Sequence, residues 1–176
     1  MKDILGKVFV IMLAMVSVLL ITANISLKQD NTTQTYVTDA AYEFIDISRA
    51  TGYISSQSYL DLIKKLDSTG ILYDIEIVHK SAEVTQGSAN DPGSAGTAVY
   101  YEHYYTSEIL DELFSGDEVY MDAYTKYNLK RGDYLSVVIS NKTPTFGNRL
   151  LGFLFRSFQE QTIHVSYGGY VGSDVQ

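Results

Sequence analysis

The chain has 176 residues, including 13 lysines and arginines, 21 aspartates and glutamates, and no cysteine. The lack of cysteine excludes disulfides, thiolate metal sites and a cysteine nucleophile. The net charge is −8, and an acidic chain without a basic run repels phosphate backbones, so nucleic acid is not expected as a partner.

The first element is an uncharged stretch of twenty residues between Lys7 and Lys28. As a helix it would extend about 30 Å, the thickness of the hydrocarbon core of a bilayer. We therefore predict a cytoplasmic stub and transmembrane helix over residues 1–28 and an extracytoplasmic α+β domain over residues 29–176. The predicted membrane anchor comprises Val8, Phe9, Ile11, Leu13, Val16, Leu19, Leu20 and Ile21.

Two other interpretations of this stretch remain open. Its apolar run from Val8 to Ile21 has the length of a signal-peptide core, and Ile21-Thr22-Ala23 resembles a cleavage site, although no Gly or Pro breaks the helix before it. A buried core helix is the third interpretation. If the segment is an anchor, Lys2 and Lys7 keep the amino terminus cytoplasmic, and the protein crosses the cell membrane once with its C-terminal domain outside.

The helix is predicted to continue beyond the apolar stretch, because no Gly or Pro occurs between Lys7 and Thr51. The residues Asn31 to Thr35 are poor helix formers, and fraying or a kink is expected there. A helix over 36–51 then carries apolar residues at helical spacing. The residues predicted to pack this helix on the domain are Val37, Ala40, Ala41, Phe44 and Ile47.

The rest of the chain is punctuated by helix caps and short strands. Gly52 is predicted as a left-handed helix cap, Ser55 as the N-cap of a helix over 55–68, and Gly70 as its C-terminal cap. A further helix is expected at 107–114, a flexible loop at 81–98, and strands at 71–79, 99–105, 134–140 and 162–171. The predicted fold class is α+β: a long N-terminal helix, first transmembrane and then amphipathic, packed on a small, mostly antiparallel sheet.

This layout is that of pilins and pseudopilins. The segment from Asp39 to His79, "GDYLSVVISNKTPT" (132–145), "LLGFLF" (150–155) and "VSYGG" (165–169) resemble the TadE-like pilin-related proteins of tight-adherence (Tad) clusters in Gram-positive bacteria. The resemblance implies a membrane-anchored structural or assembly subunit of a Tad-type surface pilus or secretion apparatus. Its expected partners are the membrane and other pilin-like or Tad membrane proteins.

One departure from the pilin pattern concerns processing. Pilin-like precursors usually carry a short basic leader ending in Gly, and a Glu five residues into the apolar run. Here Gly6 is present, but the fifth residue after it is Ile11. We therefore expect a membrane-retained subunit that is not cleaved after Gly6.

The sequence offers no recognisable catalytic constellation, and neither an enzyme nor a cofactor or metal is expected. His79, His103 and His164 lie in separate predicted strands without metal-ligand spacing. The tripeptide Arg131-Gly132-Asp133 is interpreted as a turn rather than an adhesion motif. A secreted hydrolase is disfavoured because no cluster of titratable residues converges. The alternative function is a signal-anchored extracytoplasmic binding module, either an adhesin or a sensor ectodomain.

The segment from Asn148 to Phe158 is unusually rich in large apolar residues. There are too many of them for one stripe of a short helix, so some are predicted to face a partner or the membrane. The alternative is that the segment covers the sheet core. The possible partner surface comprises Leu151, Phe153, Leu154, Phe155 and Phe158.

Overall fold

The computed structural model describes residues 2–86, 97–115, 125–154 and 162–172. The chain is α+β, with a long N-terminal helix packed on antiparallel sheets in a pilin-like arrangement. In chain order the elements are α1 (Lys2–Thr51), β1 (Tyr53–Ser55), α2 (Ser56–Asp67), β2 (Tyr73–Gln86), β3 (Thr97–Tyr105), α3 (Thr106–Phe114), β4 (Lys126–Asn128), β5 (Tyr134–Asn141), α4 (Phe146–Leu154) and β6 (His164–Tyr170).

Helix α1 is a single helix of 50 residues, and it continues without a break through 31–35, where fraying or a kink was expected. The hydroxyls of Thr32, Thr33 and Thr35 donate to carbonyls four residues earlier, so these side chains are satisfied within the helix. The helix ends at Gly52, whose φ of +76° and N–H bond to the Ser48 carbonyl form the predicted left-handed cap.

The main sheet has four antiparallel strands in the order β3-β2-β5-β6, and β1 pairs with β4 in a small second sheet. The strand β2 lies in the middle, pairing Ile77 with Val137 of β5 and Ser81 with Glu102 of β3. The predicted loop over 81–98 is wrong at its ends, because 81–86 extend β2 and 97–98 begin β3. Its small polar residues favoured a loop, but their backbone groups complete the ladder with the tyrosine-rich strand. The centre of that predicted loop lies outside the described residues.

Helix α2 begins at the predicted cap. The Ser55 hydroxyl accepts the Ser58 N–H at 3.0 Å, and the Ser58 hydroxyl accepts the Ser55 N–H at 3.2 Å, which forms a capping box. Gly70, with φ of +70°, follows the end of the helix. The three-residue strands β1 and β4 were not predicted, because such short segments carry little periodic signal. The helix α4 was not predicted because its large apolar residues do not fall on one stripe.

The core lies between α1, one face of the main sheet, and the helices α2 and α3. On α1 the buried stripe includes Val37, Ala40, Ala41, Phe44, Ile45 and Ser48. The prediction that Ile47 packs on the domain is wrong, because this side chain is 46% exposed. After Phe44, the buried residues of this face are Ile45 and Ser48. Ser48 was not predicted because it is polar, but its hydroxyl donates to the Phe44 carbonyl at 2.8 Å. Throughout, the head means residues 37–172 as far as they are described.

Candidate functional site

The first half of α1 presents an apolar surface that the rest of the described chain leaves uncovered. In the described residues it is the one helix long and apolar enough to cross a membrane, and none of its most apolar window is buried. The eight predicted anchor residues are all exposed, from 39% for Leu19 to 67% for Phe9. A continuous apolar surface on all sides of a helix is typical of contact with lipid or with other helices.

The polar side chains within this half of α1 are satisfied inside the helix. The Ser17 hydroxyl donates to the Leu13 carbonyl, the Thr22 hydroxyl to the Val18 carbonyl, and the Asn24 amide to the Leu20 carbonyl, each at 2.9 Å. Unsatisfied polar groups are costly in hydrocarbon, and local bonds of this kind remove that cost. Between Lys7 and Asn24, each of these three polar side chains therefore has a hydrogen-bond partner within the helix.

The base of the head is fixed to α1 just beyond the apolar stretch. The Thr145 hydroxyl donates to Asp30 Oδ2 at 2.6 Å. Gly147 of α4 lies so close to α1 that a Cβ there would be 2.6 Å from Asp30 Oδ2 and 3.2 Å from the Ser26 Cβ. Glycine therefore permits the close approach of α4 to α1.

The predicted partner surface on α4 divides between buried and exposed residues. Leu151 is 5% exposed, so its prediction as a partner-surface residue is wrong. It follows Gly147 by one helical turn and lies on the same face of α4, which packs on α1. Phe153 is 87% exposed. The side chain of Leu154 and the residues Phe155 and Phe158 lie outside what the structure describes.

The far end of α1 is fixed to the sheet by polar contacts. Arg49 donates through Nε to the Tyr170 carbonyl at 2.8 Å, and the Tyr167 hydroxyl donates to Asp46 Oδ1 at 3.1 Å. The bond to Asp46 stabilises the protonated phenol and raises the pKa of Tyr167. The ring centroids of Tyr42 and Tyr167 also lie 4.1 Å apart. Helix α1 is thus fixed to the residues that follow it at two levels, near Asp30 and near Arg49.

A buried polar cluster connects β2, β4 and the turn before β5. His79 contacts Asp133 Oδ2 through Nε2 at 2.7 Å and the Tyr127 hydroxyl through Nδ1 at 2.8 Å. Ser81 donates to Asp133 Oδ1 at 3.1 Å, and the Lys130 N–H donates to Oδ2 at 2.7 Å. Asp133 is only 2% exposed, so it is inaccessible to an adhesion receptor and belongs to a turn.

Burial and hydrogen bonding shift the pKa values of two members of this cluster, Asp133 and Tyr127. Burial opposes ionisation of Asp133, but the bonds from Lys130, His79 and Ser81 outweigh it and lower the pKa of the carboxyl. Burial raises the pKa of Tyr127, so its hydroxyl keeps its proton, and it lies within hydrogen-bond distance of His79 Nδ1. The ionised Asp133 carboxyl can only accept, so His79 Nε2–H donates to it. Each member is hydrogen-bonded to another, and the cluster acts as a polar cross-link inside the head.

The other histidines do not join this cluster. His103 and His164 are exposed on β3 and β6. Within the described ranges, no group of three or more His, Asp or Glu side chains could hold a metal ion. Two cavities are described, one between α1 and α2 and one at the base of the head near Asp30, and neither is lined by a histidine.

Sequence reasoning missed two of these arrangements, and in both the partners are distant in the chain. Asp133 is 54 residues from His79, and Thr145 is 115 residues from Asp30. The helical and strand periods carry no information about such pairs. A weak signal was present in Asp133, since a carboxylate directly before a buried strand often accepts bonds from its own turn, as it does here from Lys130.

The structure thus combines three features: the exposed apolar first half of α1, a head built around its second half, and a buried polar cluster of His79, Asp133, Tyr127 and Ser81. No protein-family model matches the sequence, no curated protein is similar to it, and no solved structure matches it.

Proposed function

We propose that the chain is a membrane-anchored, pilin-like subunit of a Tad-type surface pilus or secretion apparatus, with a structural or assembly role and no catalysis. The observation that carries this proposal is the continuity of α1, which is apolar and uncovered in its first half and forms the centre of the head in its second. The resemblance to TadE-like proteins supports it. In this proposal the amino terminus is cytoplasmic and the head is outside the cell.

The subunit would act through two surfaces of one helix. The apolar half contacts lipid and the apolar helices of neighbouring subunits, where close packing replaces the hydrophobic effect as the driving force. The second half holds the head at a fixed position beyond the membrane. Because Ile11 is apolar, association in the membrane would not depend on a buried carboxylate at that position.

Cross-linking in the native host tests this proposal. A photoreactive residue at Ile11 or Ile21, which are 57% and 61% exposed, should give adducts with other small proteins that have an apolar N-terminal helix. The matched control is Tyr36, which is 42% exposed on the same helix but lies above the apolar stretch. Adducts from Ile11 and Ile21 that contain lipid alone would contradict a subunit role.

The intact mass of the protein extracted from membranes distinguishes the modes of processing. We expect Met1 to Lys28 to be retained apart from routine removal of the initiator methionine. Cleavage after Gly6 would indicate a processed pilin. Release into the medium after cleavage at Ala23 would eliminate the anchor.

A binding module remains the second candidate, and one feature favours it. Among the described strands, β3 forms an edge of the main sheet, and it exposes Tyr100, Tyr101 and Tyr105, each at 56% or more. Tyrosines on an open strand edge suit a peptide or protein partner. Protein adducts from a photoreactive residue at Tyr100, together with none from Ile11, would favour this function.

A further inference from the structure

We propose that α4 is a second membrane contact: its C-terminal end, with Phe153, enters the outer interface of the bilayer that holds α1. The head would then rest on the lipid surface instead of standing clear of it. This inference rests on the proposed membrane anchoring and adds a surface to it.

The level of α4 along α1 is the first argument. Lys28 is the first charged residue after Lys7 and marks the outer limit of the apolar stretch. Ser26 and Ala23 precede it by two and five residues, which places them about 3 Å and 7 Å inside that limit at 1.5 Å per residue. Both are nearly fully buried, at 5% and 4% exposure, and Ser26 lies against Gly147 of α4. Part of α4 therefore lies at or below the level of the interface.

The direction of α4 is the second argument. Its first turn lies against Asp30 and Ser26, through Thr145 and Gly147. One turn later Leu151 is buried, and one turn lower on the same face of α1 Ala23 is buried. The helix therefore descends along α1, and its C-terminal residues are nearer the bilayer centre than its first residues.

The residues on the outer face of α4 have the order that an interface requires. Arg149 is exposed and lines the cavity near Gln29 and Asp30 of α1, and Phe153 lies four residues later in α4 with 87% of its surface exposed. In the descending orientation the guanidinium lies at the headgroup level, where it meets lipid phosphates, and the ring lies below it. Phe153 is the most exposed of the large apolar side chains described, and lipid would remove its contact with water.

Lipid is the assigned occupant because the Phe153 surface continues the apolar surface of α1. Leu19 lies one turn below Ala23 on the same face of α1, and its 39% exposure is the lowest among the predicted anchor residues. A second copy of the chain is the competing occupant, and the experiment distinguishes the two.

The chain contains no tryptophan, so a single substitution creates a unique fluorophore. Full-length Phe153→Trp would be reconstituted in phosphatidylcholine nanodiscs at one chain per disc, with lipids brominated near the carbonyl end of the acyl chains. Leu13→Trp serves as the reporter for anchoring. Tyr170→Trp is the exposed control, because Tyr170 contacts Arg49 about 30 Å above Lys28. We expect bromolipid to quench the emission of Phe153→Trp, and its maximum to lie to the blue of that of Tyr170→Trp.

Quenching of Leu13→Trp by deeply brominated lipid, with Phe153→Trp no more quenched than Tyr170→Trp, would overturn the α4 contact and leave the anchor intact. Failure of Leu13→Trp to be quenched at any bromine depth would overturn the anchor as well. Loss of Phe153→Trp quenching when several chains share a vesicle would assign the ring to a second copy and overturn the lipid assignment. Since the chain has no cysteine, a spin label on Phe153→Cys provides an independent depth measurement.

Discussion

The buried polar cluster allows a sharp prediction about the stability of the head. Replacing Asp133 with alanine removes the acceptor of the Ser81 hydroxyl and of His79 Nε2–H, both in the interior. Each buried donor left without a partner costs about 1–3 kcal/mol, so the free energy of unfolding should fall by about 4 kcal/mol. For a chain of this size the unfolding midpoint would then drop by about 8–16 °C.

The assay is thermal unfolding of the full-length protein in detergent micelles, followed by near-ultraviolet circular dichroism. All 15 tyrosines lie beyond residue 35 and none in the apolar stretch, so the tyrosine signal reports on the part of the chain that contains the head. The matched control is Asp74→Ala, which breaks an ion pair with Lys142 in which both side chains are more than half exposed. Exposed pairs contribute about 0–1 kcal/mol. Equal midpoint changes for Asp133→Ala and Asp74→Ala would refute the structural role of the cluster.

The Asp133 carboxyl also predicts how the stability of the head depends on pH. Because its folded pKa lies below the ordinary value of 3.8, the ionised group stabilises the head above that value. Its contribution should be lost as the pH falls below 3.8 and through the folded pKa. Titration of Asp133 should therefore leave the difference in unfolding midpoint between the wild type and Asp133→Ala unchanged from pH 7 to pH 5. Below pH 3.8 the difference should become smaller. A difference that widened on acidification would contradict the assignment.

Two further pairs of variants test the packing of α1. Ile45→Ala leaves a cavity at a fully buried position and should lower the free energy of unfolding by about 2–5 kcal/mol. Ile47→Ala, at a 46% exposed position, should change it by less than about 1 kcal/mol. Equal effects of the two variants in thermal unfolding would contradict the observed packing face of the helix. Gly147→Ala places a methyl group against Asp30 and should destabilise the base by about 1–3 kcal/mol, while Gly152→Ala, with nothing within 4 Å, should stabilise α4 by about 0.5–1 kcal/mol. Changes of the same sign for the two glycines would argue against tight α1–α4 packing.

Features that depend on neighbouring residues were predictable from the sequence. The cap at Gly52 and the N-cap at Ser55 follow from backbone conformation and local hydrogen bonds, and they were found where predicted. The strand β5 alternates buried and half-buried residues, and its predicted range of 134–140 is one residue short. The α+β class followed from these elements and is confirmed.

Features that depend on distant partners were not predictable. Hydrophobicity selected Ile47, but the face that packs is set by the sheet and includes the polar Ser48. The role of Asp133 requires that β2 be brought beside the turn before β5, which no local pattern specifies. Likewise, Leu151 and Phe153 are similar in hydrophobicity but differ in exposure, because only Leu151 faces α1.

The absence of a joint in α1 has a mechanical consequence. A helix of 50 residues that is bonded to Thr145 through Asp30 and to β6 through Arg49 behaves as one stiff lever. If its lower half is twisted or tilted by a neighbour, the head should turn with it, since the helix between them is unbroken. A pull on the head is likewise transmitted along the backbone to the lower end of the rod.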